Sequence, residues 1–418
     1  MNGFSSAQGL TCLTCGRGYP LGPMLEGCPE CRRVGSPASL DVTYEYGERV
    51  IPQLTTGGVH RLWDYHTLLP IVDERAVVTL GEGATPLVGL PTIADKMGAS
   101  SVWVKHEAVN PTHSFKDRTN AVTVASAVQF GFEKILCTST GNHGVSLAAY
   151  AARAGLRCLV LLSPGAPATA VREIRYFGAG AVTVPDGAVT PLMADLVRQH
   201  RWYVAQRNSP GAGGRPTGNP FGLEGYKTMA YEIFHQLGGT VPDEVFIPVA
   251  GGDGAWGLYK GFHELARLGL APAVPRIIAC QSAAGAPLEP AWRLNLPHVE
   301  PVSTGPSDAR SIVDRQSGEH ALLAVRRSNG RALALTDTAL RTAQEHLRRV
   351  GLCVELSSAA PLAGLRVLHP EGTNAGGPTI VLIATGAGLR WPATFEPIDK
   401  SEPPVAETVD ALKELISV

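Results

Sequence analysis

The chain has 418 residues, of which 44% are hydrophobic and only 17% are charged, so two or three domains with a large buried core are expected. Its formal net charge of −1 provides no bulk attraction to nucleic acid or to an anionic membrane surface. An apolar run of roughly 18 residues and a basic segment leading into an apolar one are both absent from the sequence, so we expect a cytoplasmic protein that binds neither nucleic acid nor membrane.

Four of the eight cysteines lie near the N-terminus in two C-x-x-C pairs: Cys12 and Cys15 in CLTC, Cys28 and Cys31 in CPEC. Four thiolates at this spacing are typical of a zinc ribbon, and in a reducing compartment metal binding is favoured over disulfides. A site filled by four sulfur atoms has no open position, so the metal would stabilise the fold rather than catalyse. The pattern predicts a zinc-ribbon-like module over residues 1–50; a metal-free or disulfide form is the alternative.

From about residue 100 the sequence alternates between strand-like and helix-like segments. Apolar runs such as LRCLVLL (156–162) are typical of strands buried in a parallel sheet, and they alternate with helical segments such as VSLAAYAARAG (145–155). This pattern predicts an α/β fold with parallel or mixed sheets. One helix is predicted over about 114–131, because Ser114 and Asp117 form the capping-box pattern S-x-x-D.

Lys116 follows the loop NPTHSF (110–115) and lies in the first turn of that predicted helix. The positive end of the helix dipole lowers the proton affinity of an amine at this position. A lysine there suits Schiff-base chemistry. On position alone, a solvated surface lysine is the favoured interpretation, and a Schiff-base lysine is the alternative.

Two further loops each follow a strand and open a helix. The first, TSTGNHG (138–144), has small and hydroxyl residues whose backbone N–H groups suit a carboxylate or a phosphate. The second, VAGGDGAWG (249–257), has glycines that let the backbone approach a ligand closely. Ordinary N-capping and a glycine turn without a ligand are the alternatives. Neither G-x-G-x-x-G nor GK[ST] occurs in the second loop, so a dinucleotide or nucleoside triphosphate is not favoured.

A lysine suited to an imine, a monophosphate loop and a loop for an amino-acid-sized anion form a coherent set. Together they indicate pyridoxal phosphate, whose aldehyde needs the lysine and whose phosphate needs the glycine-rich turn.

Four motifs, in this order, resemble those of threonine synthase, in the tryptophan-synthase-like (fold type II) group of pyridoxal-phosphate enzymes. They are LGEGATPL (80–87), NPTHSFKDR (110–118), STGNHG (139–144) and IATGAGLR (383–390). The resemblance covers nearly the whole chain and implies a lyase that converts O-phospho-L-homoserine and water into L-threonine and phosphate. The alternative is a pyridoxal-phosphate enzyme that performs β- or γ-replacement or elimination, or a serine/threonine dehydratase-like reaction, on a different amino acid in specialised metabolism.

The resemblance also implies residue roles. Lys116 would be the catalytic lysine that binds the cofactor aldehyde, Asn142 would hydrogen-bond the cofactor's 3′-oxygen, and Thr385 would meet its pyridine nitrogen. The cofactor phosphate would be wrapped by Ala250, Gly251, Gly252, Asp253 and Gly254. The substrate would be held by Ser139, Thr140, Gly141, His143 and His113.

The resemblance further implies two lobes around the cofactor. The large lobe would comprise residues 51–118 and 216–418, and the small, mobile lobe would comprise 119–215. The glycine- and proline-rich segment 207–220 indicates a mobile linker between them. Proteins of this group usually form homodimers, so the resemblance also implies a homodimer.

The chain departs from the family pattern at three positions expected near the substrate. His113 replaces a glycine, His143 replaces a threonine or alanine, and Gly222 replaces the arginine that grips the substrate phosphate. The two imidazoles are either general acids and bases or only hydrogen-bonding groups. Loss of a charge-assisted contact costs about 1.5–3 kcal/mol. Gly222 therefore favours the alternative substrate.

Overall fold

A computed structural model describes residues 4–55, 57–139, 141–206, 209–210, 216–371 and 376–391, and the structural statements below refer to these. The strands are β1 (Ala7–Cys12), β2 (Gly18–Pro20), β3 (Leu40–Tyr44), β4 (Leu87–Gly89), β5 (Ser101–His106), β6 (Lys134–Ser139), β7 (Arg157–Leu162), β8 (Gly180–Thr183), β9 (Tyr203–Val204), β10 (Ser209–Pro210), β11 (Pro216–Thr217), β12 (Glu244–Pro248), β13 (Arg276–Ser282), β14 (Arg331–Leu335) and β15 (Thr379–Ala384). The helices are α1 (Pro29–Arg33), α2 (Ile51–Thr55), α3 (Pro91–Met97), α4 (Lys116–Gln129), α5 (Asn142–Ala154), α6 (Ala168–Tyr176), α7 (Asp186–His200), α8 (Gly222–Gln236), α9 (Asp253–Arg267), α10 (Leu288–Arg293), α11 (Glu319–Arg327), α12 (Asp337–Arg349) and α13 (Ala360–Leu368).

Six strands form the large sheet, in the order β14-β13-β12-β15-β5-β4. Neighbouring strands from β14 to β5 run parallel, and β4 pairs antiparallel with β5 at one edge. All five residues of β12, in the middle of this sheet, are buried. Such burial is expected of a parallel sheet covered by helices on both faces. The predicted α/β fold with parallel and mixed sheets is confirmed.

Four strands form the small sheet, in the order β8-β7-β6-β9, and all its pairs are parallel. This sheet lies within the segment 119–215 that the sequence predicts to be a small mobile lobe; the mobility stays a prediction. Of the predicted linker 207–220, residues 207–208 and 211–215 lie outside the described residues. Residues 209–210 and 216–217 pair as the short hairpin β10-β11.

The predicted capping box at the start of α4 is wrong. The helix begins at Lys116, its N-cap is Phe115, and the Ser114 hydroxyl accepts only a long hydrogen bond from the Lys116 N–H, at 3.4 Å. The carboxylate of Asp117 instead accepts hydrogen bonds from the Thr112 N–H and the Ser146 hydroxyl, each at 2.6 Å. Because Asp117 is fully buried, its carboxylate bonds to a neighbouring turn and to α5 rather than to the backbone of its own helix.

The N-terminal module is a three-stranded antiparallel sheet, β2-β1-β3, that contacts α8 and α9. The Tyr44 hydroxyl donates to Glu224 Oε2 at 2.9 Å, and Lys260 Nζ donates to the Val42 carbonyl at 2.6 Å. Lys260 also pairs with Glu224 at 2.7 Å. Buried charged groups therefore connect the module to α8. None of the described helices is long and apolar enough to cross a bilayer.

A buried ion network joins α4, α8 and the end of β5. The fully buried guanidinium of Arg118 contacts both oxygens of Glu107, at 2.7 and 2.8 Å, and both oxygens of Glu232, at 2.6 and 2.8 Å. Lys105 adds a second cation 2.7 Å from Glu232. Two carboxylates that would be costly to bury alone are thus neutralised in bidentate geometry.

Replacement of Arg118 by methionine should lower the free energy of unfolding by about 3–5 kcal/mol, because it leaves buried carboxylates without their cation. Urea unfolding followed by circular dichroism measures the change. The control is Arg75→Met, which removes an exposed pair with Asp73 and should leave the midpoint nearly unchanged. Equal effects of the two substitutions would contradict a stabilising role for the network.

Candidate active site

A cavity of about 380 Å³ lies where the carboxyl ends of β6 and β7 approach those of β12 and β15. This edge is where ligands bind to parallel sheets. Ten of the predicted residues line it: Lys116, Ser139, Asn142, His143, Ala250, Gly251, Gly252, Asp253, Gly254 and Thr385. Gly141 and His113 are not among the lining residues, and Thr140 lies outside the described residues.

Lys116 is the first residue of α4, and its amine faces two aromatic side chains. Its Nζ donates to the Tyr226 hydroxyl at 3.1 Å and lies 4.5 Å from the centroid of the Phe115 ring. Burial lowers the pKa of Lys116, and the carboxylates of Asp253 and Glu355 offset this only in part. A lysine with a lowered pKa is more often neutral, which is the form that reacts with an aldehyde.

The glycine-rich turn 250–254 joins β12 to α9 and lines the cavity. Gly252 has a φ of 101°, and a Cβ on it would lie 2.1 Å from the Cβ of Ala321. A Cβ on Gly254 would lie 3.1 Å from the Phe115 ring. The first turn of a helix has N–H groups without intrahelical partners, so this close-packed turn suits a phosphate. The carboxylate of Asp253 accepts a hydrogen bond from His320 Nε2 at 2.8 Å.

The side-chain amide of Asn142 is held between a cation and an acid. Arg390 Nη1 donates to Asn142 Oδ1 at 2.6 Å, and Asn142 Nδ2 donates to Glu355 Oε2 at 3.0 Å. The same guanidinium makes two hydrogen bonds, at 2.9 and 2.7 Å, to Glu173 of α6. Arg390 therefore orients the amide and also joins the segment after β15 to the helices of the small sheet.

Thr385 and Ser139 each follow or end a strand at the cavity. The Thr385 hydroxyl shares a hydrogen bond of 2.9 Å with Ser358, and its carbonyl accepts from the Phe115 N–H at 2.8 Å. The Ser139 hydroxyl accepts from the N–H groups of Gly141 and Gly144, at 3.0 and 2.9 Å. Ser139 thus shapes the turn that begins α5.

The two unusual histidines occupy different environments. Burial, with a smaller effect of the Lys116 charge, lowers the pKa of His143 to about 3, so this imidazole is neutral near neutral pH. Its Nε2 is buried, and no described group hydrogen-bonds it, so this polar atom is available to a ligand. His113 is exposed in a left-handed turn with a φ of 62°. Its N–H bonds the Asn110 carbonyl at 2.8 Å, and its imidazole does not line the cavity.

The four N-terminal cysteines come together outside this cavity. Their sulfur atoms all lie within 4.8 Å of one another, with 3.7 Å between Cys12 and Cys31 and 3.8 Å between Cys15 and Cys28. Four sulfurs around zinc at about 2.3 Å give edges of about 3.8 Å in a tetrahedron. The cluster therefore has dimensions that fit the ion.

Among the residues that the sequence analysis missed are Tyr226 and Glu355, which line the cavity, and Arg390, which contacts Asn142. Tyr226 could have been noticed, since it lies in the same short segment as Gly222. Glu355 is a lone acid between apolar residues in LCVELSSAA (352–360), a pattern that indicates a buried carboxyl group. Arg390 ends a motif that was recognised, but its partners lie in distant segments.

Comparison with known proteins gives one family and a consistent set of relatives. The model of the family described as "Pyridoxal-phosphate dependent enzyme" matches residues 78–386. A threonine synthase from Methanosarcina acetivorans is 35% identical, over 97% of this chain and 98% of that protein. A threonine synthase from Methanocaldococcus jannaschii is 34% identical, over 93% of this chain and 95% of that protein. One from Mycobacterium tuberculosis H37Rv is 36% identical, over 79% and 88%.

Solved structures of lower sequence identity share the fold. Diaminopropionate ammonia lyase from Escherichia coli gives a TM-score of 0.64 at 18% identity, covering 77% of this chain and 89% of that one. Maize serine racemase gives a TM-score of 0.61 at 16% identity, covering 75% and 91%. At such identities the likeness supports the fold alone.

The pH dependence of the free energy of unfolding should reveal the raised pKa of Glu355. Burial raises its pKa from an ordinary 4.5 to about 7, against the Asn142 hydrogen bond and the Arg390 charge. A raised carboxyl pKa gives stability that is complete below pH 4.5 and is lost as the pH rises through 7. Between pH 4.5 and 7, the free energy of unfolding should fall by about 1.4 kcal/mol per pH unit. Wild-type apoprotein should therefore lose more stability than Glu355→Gln between pH 5 and 8, measured by urea unfolding.

The control for this experiment is Glu345→Gln. Hydrogen bonds from Arg348, opposed by some burial, help to lower the pKa of Glu345 to about 2, so this group stays ionised throughout the window. Its substitution should keep the wild-type dependence on pH. Parallel curves for wild type and Glu355→Gln would instead show that Glu355 is ionised.

Proposed function

Because this chain belongs to the pyridoxal-phosphate dependent enzymes and, within them, to the threonine synthase family, we propose that it converts O-phospho-L-homoserine and water into L-threonine and phosphate. One observation carries the proposal: Lys116, the glycine-rich turn 250–254 and Asn142 all line a single cavity. A lysine with a lowered pKa and a close-packed turn at a helix start are the two groups that pyridoxal phosphate needs.

The residues of the cavity fit this cofactor. Lys116 would bind its aldehyde carbon, the N–H groups of 250–254 would surround its phosphate, and the Thr385 hydroxyl would meet its pyridine nitrogen. The Asn142 amide, oriented by Arg390, would present Nδ2 to its 3′-oxygen. When bound, the cofactor supplies an electron-withdrawing ring that stabilises negative charge on the substrate.

The protein's own groups hold the substrate and move its protons. The Lys116 amine is placed to take and return protons at Cα and Cβ, while the Tyr226 hydroxyl, 3.1 Å away, holds this amine in the cavity. The turn shaped by Ser139 would receive the substrate carboxylate. Neutral His143 would serve as a hydrogen-bonding group there rather than as a cationic acid. Closure of the small sheet over the cavity would exclude water.

A second candidate is a related elimination or replacement on a different amino acid. Gly222 favours it, since the family's phosphate-binding arginine is missing there. A Cβ on Gly222 would lie 2.4 Å from Thr123 Oγ1 and 2.6 Å from Thr119 Oγ1. Helix α4 therefore occupies the space that a side chain at 222 would need.

Purified holoenzyme should release threonine and phosphate in equal amounts from O-phospho-L-homoserine, measured by amino-acid analysis and a phosphate assay. Lys116→Ala should lower the rate by at least about 10²–10⁴-fold, because it removes the proton-transferring group. Lys96→Ala, in α3 and outside the cavity, is the control. Consumption of another amino acid without phosphate release would favour the second candidate.

We further propose that the four N-terminal cysteines bind a structural zinc ion. Elemental analysis of freshly purified protein should find about one zinc per chain. Cys15→Ser should reduce the zinc content and the unfolding midpoint, whereas Cys353→Ser, an exposed cysteine outside the cluster, should change neither. Protein without zinc, or with disulfides among these cysteines, would contradict the proposal.

A cytoplasmic location and a homodimer also belong to this proposal, by analogy with the family. Light scattering that gives the mass of one chain, 44.0 kDa, would contradict the dimer.

A further inference from the structure

Among the described residues, the side chains of one lysine and one arginine line the cavity: Lys116 and Arg310. Lys116 is assigned to the cofactor, and Arg310 has no role in the site described above. We propose that Arg310 binds the phosphate leaving group of the substrate and replaces the arginine missing at Gly222. This inference rests on the proposed function.

The wall near Gly222 cannot supply that contact. The hydroxyls of Thr119 and Thr123 lie where a side chain at 222 would begin, and Thr119 itself lines the cavity. A phosphate in this cavity must therefore meet its positive charge on another wall. Arg310 stands on the segment between β13 and α11, far from α8 in sequence.

The segment that carries Arg310 is held by neighbouring residues, and its guanidinium contacts a loop of the small sheet. Ser311 Oγ donates to Ser357 Oγ at 2.6 Å, and Ile312 is buried. Arg310 Nη1 donates to the carbonyl of Gly165, in the loop after β7 of the small sheet, at 3.1 Å. The guanidinium thus lies between the two sheets, at the mouth of the cavity.

Because Gly165 has no side chain, the guanidinium of Arg310 fits beside it. Gly165 has a φ of 79°, and a Cβ on it would lie 2.7 Å from Arg310 Nη1. Ser163, two residues earlier, lines the cavity beside it and offers a hydroxyl. A guanidinium and a hydroxyl at one place form a polar site of the kind that binds phosphate.

No carboxylate in the described part of the chain forms an ion pair with Arg310, whose guanidinium hydrogen-bonds the Gly165 carbonyl. A guanidinium has five N–H donors, so most remain for a ligand and can bind a phosphate in bidentate fashion. Two acids that line a second cavity together with Arg310 have other partners: Asp308 pairs with Arg341, and Asp337 accepts from the Ser307 hydroxyl at 2.6 Å.

This position gives Arg310 a defined part in the reaction. When the Cγ–O bond breaks, the phosphate leaves with that electron pair. The Cβ–H electron pair forms a double bond between Cβ and Cγ, and the proton passes to the Lys116 amine. The guanidinium would stabilise the charge that collects on the departing phosphate. It would also select substrates whose leaving group is a dianion over those with neutral leaving groups.

The test compares two probes on the holoenzyme by titration of the cofactor's absorbance. One is the phosphonate in which a methylene replaces the ester oxygen of O-phospho-L-homoserine; the other is L-threonine, which has no phosphate. Arg310→Ala should weaken phosphonate binding about 10–100-fold, as expected for a charge-assisted contact, and leave threonine binding within about twofold. Arg310→Lys should be intermediate. Arg315→Ala, on the same segment but outside the cavity, is the matched control and should behave as wild type.

Each other outcome counts against the inference. Wild-type phosphonate affinity in Arg310→Ala, in an enzyme that turns over O-phospho-L-homoserine, would overturn the role of Arg310 and leave the proposed function intact. Equal weakening of both probes would show that Arg310 acts on the structure and not on the phosphate. A wild-type enzyme that binds threonine but neither binds the phosphonate nor releases phosphate would overturn both proposals.

Discussion

The position of Lys116 depends on a buried guanidinium two residues further along the same helix. Arg118 contacts Glu107 after β5 and Glu232 in α8, and its Nη1 also donates to Thr228 of α8 at 2.9 Å. Since buried charges without partners are strongly destabilising, α4 and α8 have one favourable arrangement. That arrangement brings Lys116 at the start of α4 against Tyr226 of α8, where burial lowers the pKa of the amine.

A second guanidinium, that of Arg390, positions the helices of the small sheet. Arg390 lies just after β15 and binds both Asn142, at the start of α5, and Glu173, in α6. The helices of the small sheet are therefore held next to the carboxyl ends of the large sheet. The cavity between them combines the Lys116 amine, the glycine-rich turn 250–254 and the oriented Asn142 amide, and each depends on contacts made outside the cavity itself.

Structural features set by short segments can be predicted from the sequence. Features that depend on contacts between distant residues cannot. The α/β fold, Lys116 at a helix start and the turn 250–254 follow from patterns within short segments. The capping box failed because the buried Asp117 bonds Thr112 and Ser146 instead of Ser114. Glu355 and Arg390 were missed as site residues because their partners are remote: Asn142 and Glu355 are 213 positions apart. Nor does sequence spacing reveal that His113 faces solvent while His143 is enclosed.

We infer that the cofactor binds Lys116 and not one of the buried lysines. Lys105, Lys227 and Lys260 are buried, but each is held in an ion pair with a carboxylate, and none of them lines the cavity. The most direct measurement is borohydride reduction of the holoenzyme, which fixes the cofactor to its lysine, followed by digestion and mass spectrometry. A phosphopyridoxyl group should appear on the peptide that contains Lys116. The same group on a peptide with Lys105, Lys227 or Lys260 would contradict that inference.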